Sequence, residues 1–306
     1  MSVTVDSDQE AQARAHIQGL IARRFQRRRV LSWVSLSFVG LALLVALFPL
    51  YSILEQTVAI GGHYMRLSFF TQNELSPTVQ HPNLVGGINN ALVGTLIIVA
   101  VAVVLSVPLG IVGGIALFEF DNKFVATMRS ALFSILAMPS ILYGLFVLIL
   151  AASFKLPFGA YLGSIALAIL MIPMVAIVTF EGLGEVPRLH VEAGLALGAQ
   201  RLSLMRRVML PEARGRILPG ALLAASRAIG ETAPVLFVIG SNSYTSWNPF
   251  SQVESLPTVI YSDLASNYPA VRAECWAMGL VAMTIILIFN LAARSYFAWS
   301  SRELAG

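Results

Sequence analysis

Two charged residues, Arg227 and Glu231, lie inside an apolar stretch of the sequence, 217–240, that is long enough to cross a membrane. A charge at the centre of a bilayer costs about 2.5–3.5 kcal/mol on insertion scales, so an arginine there indicates a function. A guanidinium can donate two parallel hydrogen bonds to a tetrahedral oxyanion, and a carboxylate can accept a hydrogen bond from an oxyanion that still carries a proton. The pair therefore predicts an anion path in which Arg227 is the contact. Glu231 would either accept the anion's proton or hold Arg227 between transport events.

The alternative interpretation of Arg227 and Glu231 is an ion pair that only fixes helix packing. Their spacing of four predicts one shared helix face, but an acid before a base is the more favourable order within a helix, so helix stabilisation explains the pair weakly. Three hydroxyl residues are weaker candidates for lining the path, because hydroxyls in membrane helices more often bond to the backbone or to a neighbouring helix. They are Ser140, Ser226 and Thr232.

The elements that position these residues are predicted to be membrane helices. Charged residues make up 12% of the 306 residues, against about 25% in soluble proteins, and hydrophobic residues make up 57%. Such a chain cannot cover itself with a polar surface. Besides 217–240, the stretches free of Asp, Glu, Lys and Arg that can span are 30–54, 75–118, 130–154, 156–180 and 275–293. We therefore predict an all-α integral membrane protein with six transmembrane helices.

Two of these predicted helices have further sequence signals. Pro77 and Pro82 interrupt the start of the second stretch, so its helix is expected from about residue 88. Gly110, Gly113 and Gly114 in the same helix predict a close crossing with a neighbouring helix rather than a binding site.

Basic residues predict the orientation. Sixteen of the 20 Lys and Arg residues fall in the N-terminal arm, in two alternate loops and in the tail, against three in the other loops. This bias predicts that both termini are cytoplasmic. The predicted parts are a basic arm over 1–29, a first helix over 30–54, a transmembrane domain over 85–295 and a cytoplasmic tail over 296–306. We expect the arm to lie beside membrane lipid, and we interpret its charge as anchoring topology rather than as binding nucleic acid. The first run, at 25 residues, is longer than a signal-peptide core, so we expect it to be retained.

The basic loop 181–216 predicts a docking element, with a coupling segment over about 185–211. Met205, Val208 and Leu210 can bury an apolar side, while arginines such as Arg201 stay solvated or pair with acids on a partner. The alternative is a surface helix whose basic residues face lipid head groups. The candidate coupling residues are Glu192, Ala193, Gly194, Gly198, Leu210 and Pro211.

Three motifs carry a resemblance to a known family. E-A-G-x3-G, from Glu192, followed twelve residues later by L-P, resembles the EAA loop of ABC-importer permeases, with Gly194 where that family commonly has alanine. R-A-I-G-E-T-A-P at 227–234 is similar to the R-A-x-G-E-T signature of the phosphate permeases, and its A-P ending resembles the PstA-type subunit rather than the PstC-type subunit. M-P-S-I-L-Y-G-L-F at 138–146 resembles the third core span of that family.

The resemblance implies a type I ABC importer permease fold in a bacterial inner membrane, with inorganic phosphate as the substrate. It also implies a second permease subunit of the PstC type, a cytoplasmic ABC ATPase dimer that receives the EAA helix, and an extracytoplasmic phosphate-binding protein that meets the long outer loops. Two alternatives remain open at this point. One is a permease for another oxyanion, and the other is a membrane scaffold or sensor subunit that does not line the path.

The motifs that the sequence lacks set a further expectation. It has no G-x-x-x-x-G-K-[ST] stretch and no G-x-G-x-x-G stretch to hold a nucleotide, so the chain is predicted not to be an enzyme and to need a separate ATPase subunit. Four scattered histidines and the single cysteine, Cys275, predict no metal site, no disulfide and no cofactor.

Overall fold

The computed structural model describes residues 7–75, 81, 85–120 and 122–303. Every regular element in these ranges is helical, which confirms the predicted all-α class. The chain divides into two compact units, residues 1–56 and 57–306.

The first unit is built on helix α1, Ser7–Gly61, whose last residues belong to the second unit. From Leu31 to Leu50 every side chain is exposed, and large apolar residues such as Phe38 and Phe48 point outward on all faces. A helix that is apolar all round is stable only in a core or in lipid. Among the described residues, Leu31–Tyr64 is long and apolar enough to cross a membrane.

The second unit holds the remaining helices. They are α2 Leu67–Thr71, α3 Asn89–Glu119, α4 Lys123–Ala137, α5 Ile141–Ser153, α6 Ala160–Gly184, α7 Arg188–Ala196, α8 Arg201–Leu204, α9 Leu210–Ile229, α10 Leu256–Asp263 and α11 Pro269–Glu303, with a 3₁₀ turn at Gly62–Tyr64 and a π-helical turn at Met205–Met209. Helix α3 thus begins one residue after the predicted start, and Pro77 and Pro82 lie outside the described residues.

The centre of the second unit is the packing of α3, α6 and α9, where small residues allow the helices to approach closely. A Cβ atom added at Gly110 would lie 2.5 Å from the Cβ of Val175, and one added at Gly114 would lie 2.5 Å from the Cβ of Thr179. The predicted close crossing is therefore confirmed for these two glycines. At Gly113 the added atom would make an ordinary contact at 3.5 Å.

The third predicted span is broken. The pair α4 and α5 meets at a bend of 105° around Met138, Pro139 and Ser140, so the prediction of one continuous helix over 130–154 is wrong. The physical reason is Pro139. A residue before proline is driven out of the helical region, and Met138 is extended, with φ −74° and ψ 142°.

The span predicted over 217–240 is also not one helix. Helix α9 ends at Ile229, Gly230 is its C-cap residue, and the chain continues through turns to Gly240, whose φ is +78°. Pro234 has no N–H to donate within a helix, and Gly240 adopts the left-handed conformation that ends regular structure. By length and composition, the described residues contain four spanning helices, or five with the bent pair, so the count of six is not reproduced.

Candidate transport site and coupling segment

Arg227 and Glu231 lie where α9 ends. Arg227 is in the last turn of the helix, Glu231 is beyond its C-cap, and the Arg227 Nε donates a hydrogen bond to Glu231 Oε1 at 3.2 Å. The prediction that both lie on one helix face is wrong in detail, because the helix stops between them. They still meet, since the backbone N–H of Glu231 bonds to the carbonyl of Ala228 and continues the turn.

The two side chains differ in exposure. The Arg227 side chain is 56% exposed and that of Glu231 is 18% exposed. Glu231 lines an inner crevice of about 10 Å³ together with Thr95 and Ser255. That volume holds about one water molecule, so it is too small for a tetrahedral oxyanion. Of the two side chains, that of Arg227 is therefore the more accessible.

The three candidate hydroxyls occupy different positions. Ser226 is buried and donates to the carbonyl of Leu223 at 2.9 Å and to Asn290 Oδ1 at 3.3 Å, so it joins α9 to α11. Thr232 lies in the turn after α9, half-buried and one residue beyond Glu231. Ser140 is half-buried at the start of α5 and caps no backbone N–H there.

One part of the site was not predicted from the sequence. The α5 backbone at Gly144 packs directly on the turn after α9, since an added Cβ would lie 2.4 Å from the carbonyl oxygen of Pro234. The motifs 138–146 and 227–234 are therefore in contact. Two residues in the sequence could have indicated this contact. Pro139 breaks the helix, and Gly144 has no side chain and so allows another backbone to approach.

The coupling segment folds as α7, α8 and the π-helical turn. Glu192 and Ala193 are exposed on α7. Gly194 faces Leu204 of its own segment, where an added Cβ would lie 2.4 Å from Leu204 Cδ1, so its small size serves packing within the chain. Gly198 has φ +77°, and the N–H groups of Gly198 and Ala199 bond to carbonyls of α7 in a Schellman motif. Met205 and Met209 anchor the segment in a small core.

Leu210 and Pro211 form the first turn of α9. The carboxylate of the next residue, Glu212, contacts the imidazole ring of His190 on α7. The His190 Nδ1 lies 2.8 Å from Glu212 Oε1 and 3.1 Å from Oε2. Arg227 lies fifteen residues further along the same helix. At 1.5 Å per residue, α9 thus joins the coupling segment to the candidate site over about 22 Å.

Further ion pairs join α9 and the coupling segment to neighbouring helices. Arg216 on α9 pairs with Glu181 of α6 at 2.9 Å and with Glu185 just beyond that helix. Arg201 pairs with Glu119 at the end of α3. The Arg201 side chain is 70% exposed, in line with the prediction that it stays solvated, and it pairs with an acid of its own chain.

The opposite end of the unit holds a group of acids. Burial and, to a smaller extent, the nearby Glu254 raise the pKa of Glu74 to about 8. The same two causes raise the pKa of Asp263. The buried Glu274 Oε1 has no hydrogen-bond partner in the described part of the chain. Within that part, no group of three or more His, Cys, Asp or Glu residues has a geometry that could hold a metal ion.

The chain is similar to curated transport proteins over most of its length. It is 33% identical to the phosphate transport system permease protein PstA of Haemophilus influenzae, over 90% of this chain and 96% of that protein. It is 34% identical to the protein of the same name from Yersinia pestis, over 97% and 98% of the two chains. It is also 33% identical to a probable PstA protein of Methanocaldococcus jannaschii, over 85% and 91%.

Solved structures show the same fold at low sequence identity. A chain of the MetNI methionine ABC transporter, in an inward-facing conformation, aligns with a TM-score of 0.57 and 17% identity, over 68% of this chain and 93% of that one. A chain of a bacterial ABC transporter that imports the acidic polysaccharide alginate aligns with a TM-score of 0.55 and 14% identity, over 89% and 99%. The family model of binding-protein-dependent transport system inner membrane components matches residues 106–305. With this match and its PstA relatives, the chain belongs to the family of binding-protein-dependent transport system inner membrane components.

Proposed function

We propose that the chain is a transmembrane subunit of an ATP-driven importer of inorganic phosphate. In this assembly it forms half of the translocation path, and a second permease subunit of the PstC type forms the other half. A cytoplasmic ABC ATPase dimer binds the coupling segment, and an extracytoplasmic phosphate-binding protein delivers the anion. The names of the PstA relatives and the R-A-I-G-E-T-A-P motif support phosphate as the substrate.

One observation carries the proposal, namely the exposed Arg227 guanidinium at the end of α9, in a stretch, 217–240, whose only other charged residue is Glu231. A charge at this depth needs an aqueous path or a polar partner. Because the Arg227 side chain is exposed on the surface of this subunit, the anion path lies between the chain and a second subunit. Glu231 accepts the Arg227 N–H when the path is empty. When phosphate arrives, it accepts a hydrogen bond from the protonated anion.

The same helix supplies the mechanical link. Closure of the ATPase dimer moves α7, and the contact between His190 and Glu212 transfers that movement to the first turn of α9. Since Arg227 is in the last turn of α9, rocking of this helix opens the arginine alternately to the two sides of the membrane.

The membrane orientation follows from the basic residues. The coupling segment and both termini are cytoplasmic, and the cluster of acidic residues around Glu74 is on the extracytoplasmic side. The protein is a multi-pass membrane protein, like its permease relatives.

The test is phosphate uptake by the complex reconstituted in liposomes with the ATPase, the second permease and the binding protein. Arg227→Gln should abolish uptake while the complex still assembles. Arg129→Gln is the matched control, because it makes the same substitution at an arginine that contacts the Phe180 ring, 4.6 Å from the ring centroid, rather than Glu231. It should keep uptake. Full uptake by Arg227→Gln would refute the pathway and favour a scaffold subunit. Equal competition by sulfate would favour a permease for other oxyanions.

The docking role is tested separately. Glu192→Lys should weaken co-purification of the ATPase with the membrane subunits, because it reverses a charge on the exposed face of α7. Glu192→Gln keeps the size of the side chain and should have a smaller effect. Unchanged co-purification of the Glu192→Lys protein would contradict the docking role.

A further inference from the structure

Tyr143 bridges the break in the third span. Its side chain lies on α5 and is 3% exposed. The Tyr143 hydroxyl donates a hydrogen bond to the carbonyl of Ile135 on α4, and the carbonyl of Met138 lies 3.4 Å away. The hydroxyl therefore ties the two helices together across their 105° bend.

The helix that carries Tyr143 is in backbone contact with the turn after α9. Gly144, the next residue, leaves no room for a side chain against Pro234, since all three atoms nearest to an added Cβ belong to Pro234 and lie at 2.4–3.0 Å. Pro234 follows Glu231 by three residues. A shift of α5 relative to α4 must therefore move the turn that carries Glu231.

Tyr143 is thus connected to the charged pair through the backbone contact that its neighbour Gly144 makes with Pro234.

We propose that Tyr143 is a positioning residue for phosphate transport: its hydroxyl fixes the bend between α4 and α5, and this bend sets the position of the Arg227–Glu231 pair in the path. The inference rests on the proposed function, because it assigns the pair to phosphate. It predicts a role for the hydroxyl that is separate from the folding of the chain.

The experiment compares Tyr143→Phe with Tyr161→Phe in the reconstituted complex. Tyr161 is the matched control because its hydroxyl also donates to a backbone carbonyl, that of Pro157, at 2.8 Å, but at the start of α6. Tyr143→Phe should raise the KM for phosphate about three- to tenfold, the equivalent of one net hydrogen bond. The amount of assembled complex should stay unchanged, and Tyr161→Phe should match the wild type in both measurements.

A second variant shows whether the tyrosine acts through the arginine. In an Arg227→Lys background, which keeps the charge but loses the guanidinium fork, Tyr143→Phe should raise the KM less than it does in the wild type, because coupled residues are not additive. Gly144→Ala, which pushes the turn away from α5, should raise the KM in the same direction as Tyr143→Phe.

The outcomes separate the two proposals. If the wild-type complex takes up no phosphate, the proposed function fails. If the wild type transports, Arg227→Gln does not, and Tyr143→Phe keeps the wild-type KM, only the role of Tyr143 is refuted. A Tyr143→Phe chain that fails to assemble, or whose effect simply adds to that of Arg227→Lys, assigns the tyrosine to folding and also overturns the inference.

Discussion

Replacing Gly114 by alanine should force α3 and α6 apart and destabilise the second unit. The added Cβ would lie 2.5 Å from the Cβ of Thr179 and 2.6 Å from the carbonyl oxygen of Ala176. Ordinary van der Waals contact begins at 3.4 Å, so each contact is short by about 1 Å. One of the two opposing atoms belongs to the α6 backbone, so a change of rotamer cannot relieve the clash and the helices must separate.

The magnitude follows from two opposing terms. Gly→Ala within a helix stabilises it by about 0.5–1 kcal/mol, whereas overpacking a core costs about 1–3 kcal/mol. With two short contacts, we expect Gly114→Ala to lower the free energy of unfolding by about 1–2 kcal/mol. Gly113→Ala gains the same helix term without the clash, because its Cβ would lie 3.5 Å from the Ala176 Cβ. The two variants should therefore differ by about 2 kcal/mol.

The assay is thermal or denaturant unfolding of the purified chain in detergent micelles, with the variants measured side by side. The comparison removes helix propensity, since both glycines are in the same turn of α3. If Gly114→Ala proves as stable as Gly113→Ala, the close packing of α3 on α6 is not what holds the unit together, and the reasoning fails.

Two further predictions concern the ends of the unit. The pKa of Glu74 is raised from 4.5 to about 8, so the folded chain keeps a proton that the unfolded chain releases. The stabilisation from this group should be fully present below pH 4.5 and lost as the pH rises to about 8, by at most about 1.4 kcal/mol of unfolding free energy per pH unit. Glu74→Gln should reduce this dependence of the unfolding free energy on pH between pH 5 and 9. Glu55→Gln, at an exposed glutamate, should not. At the coupling end, His190→Ala and Glu212→Ala should each raise the amount of ATP hydrolysed per phosphate imported in liposomes. The double variant should raise this ratio no further than either single variant. Additive effects would show that the two residues act separately.

The sequence alone predicted the features that depend on composition and local pattern. The scarcity of charge predicted a membrane protein, and the apolar runs predicted helices, since a spanning segment must satisfy its own backbone hydrogen bonds. One of the predicted spans contained two charged residues, Arg227 and Glu231, and the structure pairs them at 3.2 Å. These properties belong to one segment at a time, so no knowledge of its neighbours was needed.

The tertiary structure decided where helices break and which segments meet. The sequence could not show that Gly144 lies on Pro234, that Gly194 lies against Leu204, or that Arg201 finds Glu119, because each contact joins segments that are separate along the chain. The end of α9 at Ile229 was missed for a related reason, because an apolar run of sufficient length favours a continuous helix until packing and a glycine–proline turn stop it. Apolar length is a local property that sequence displays, whereas the surroundings of a charged side chain depend on the helices that pack around it.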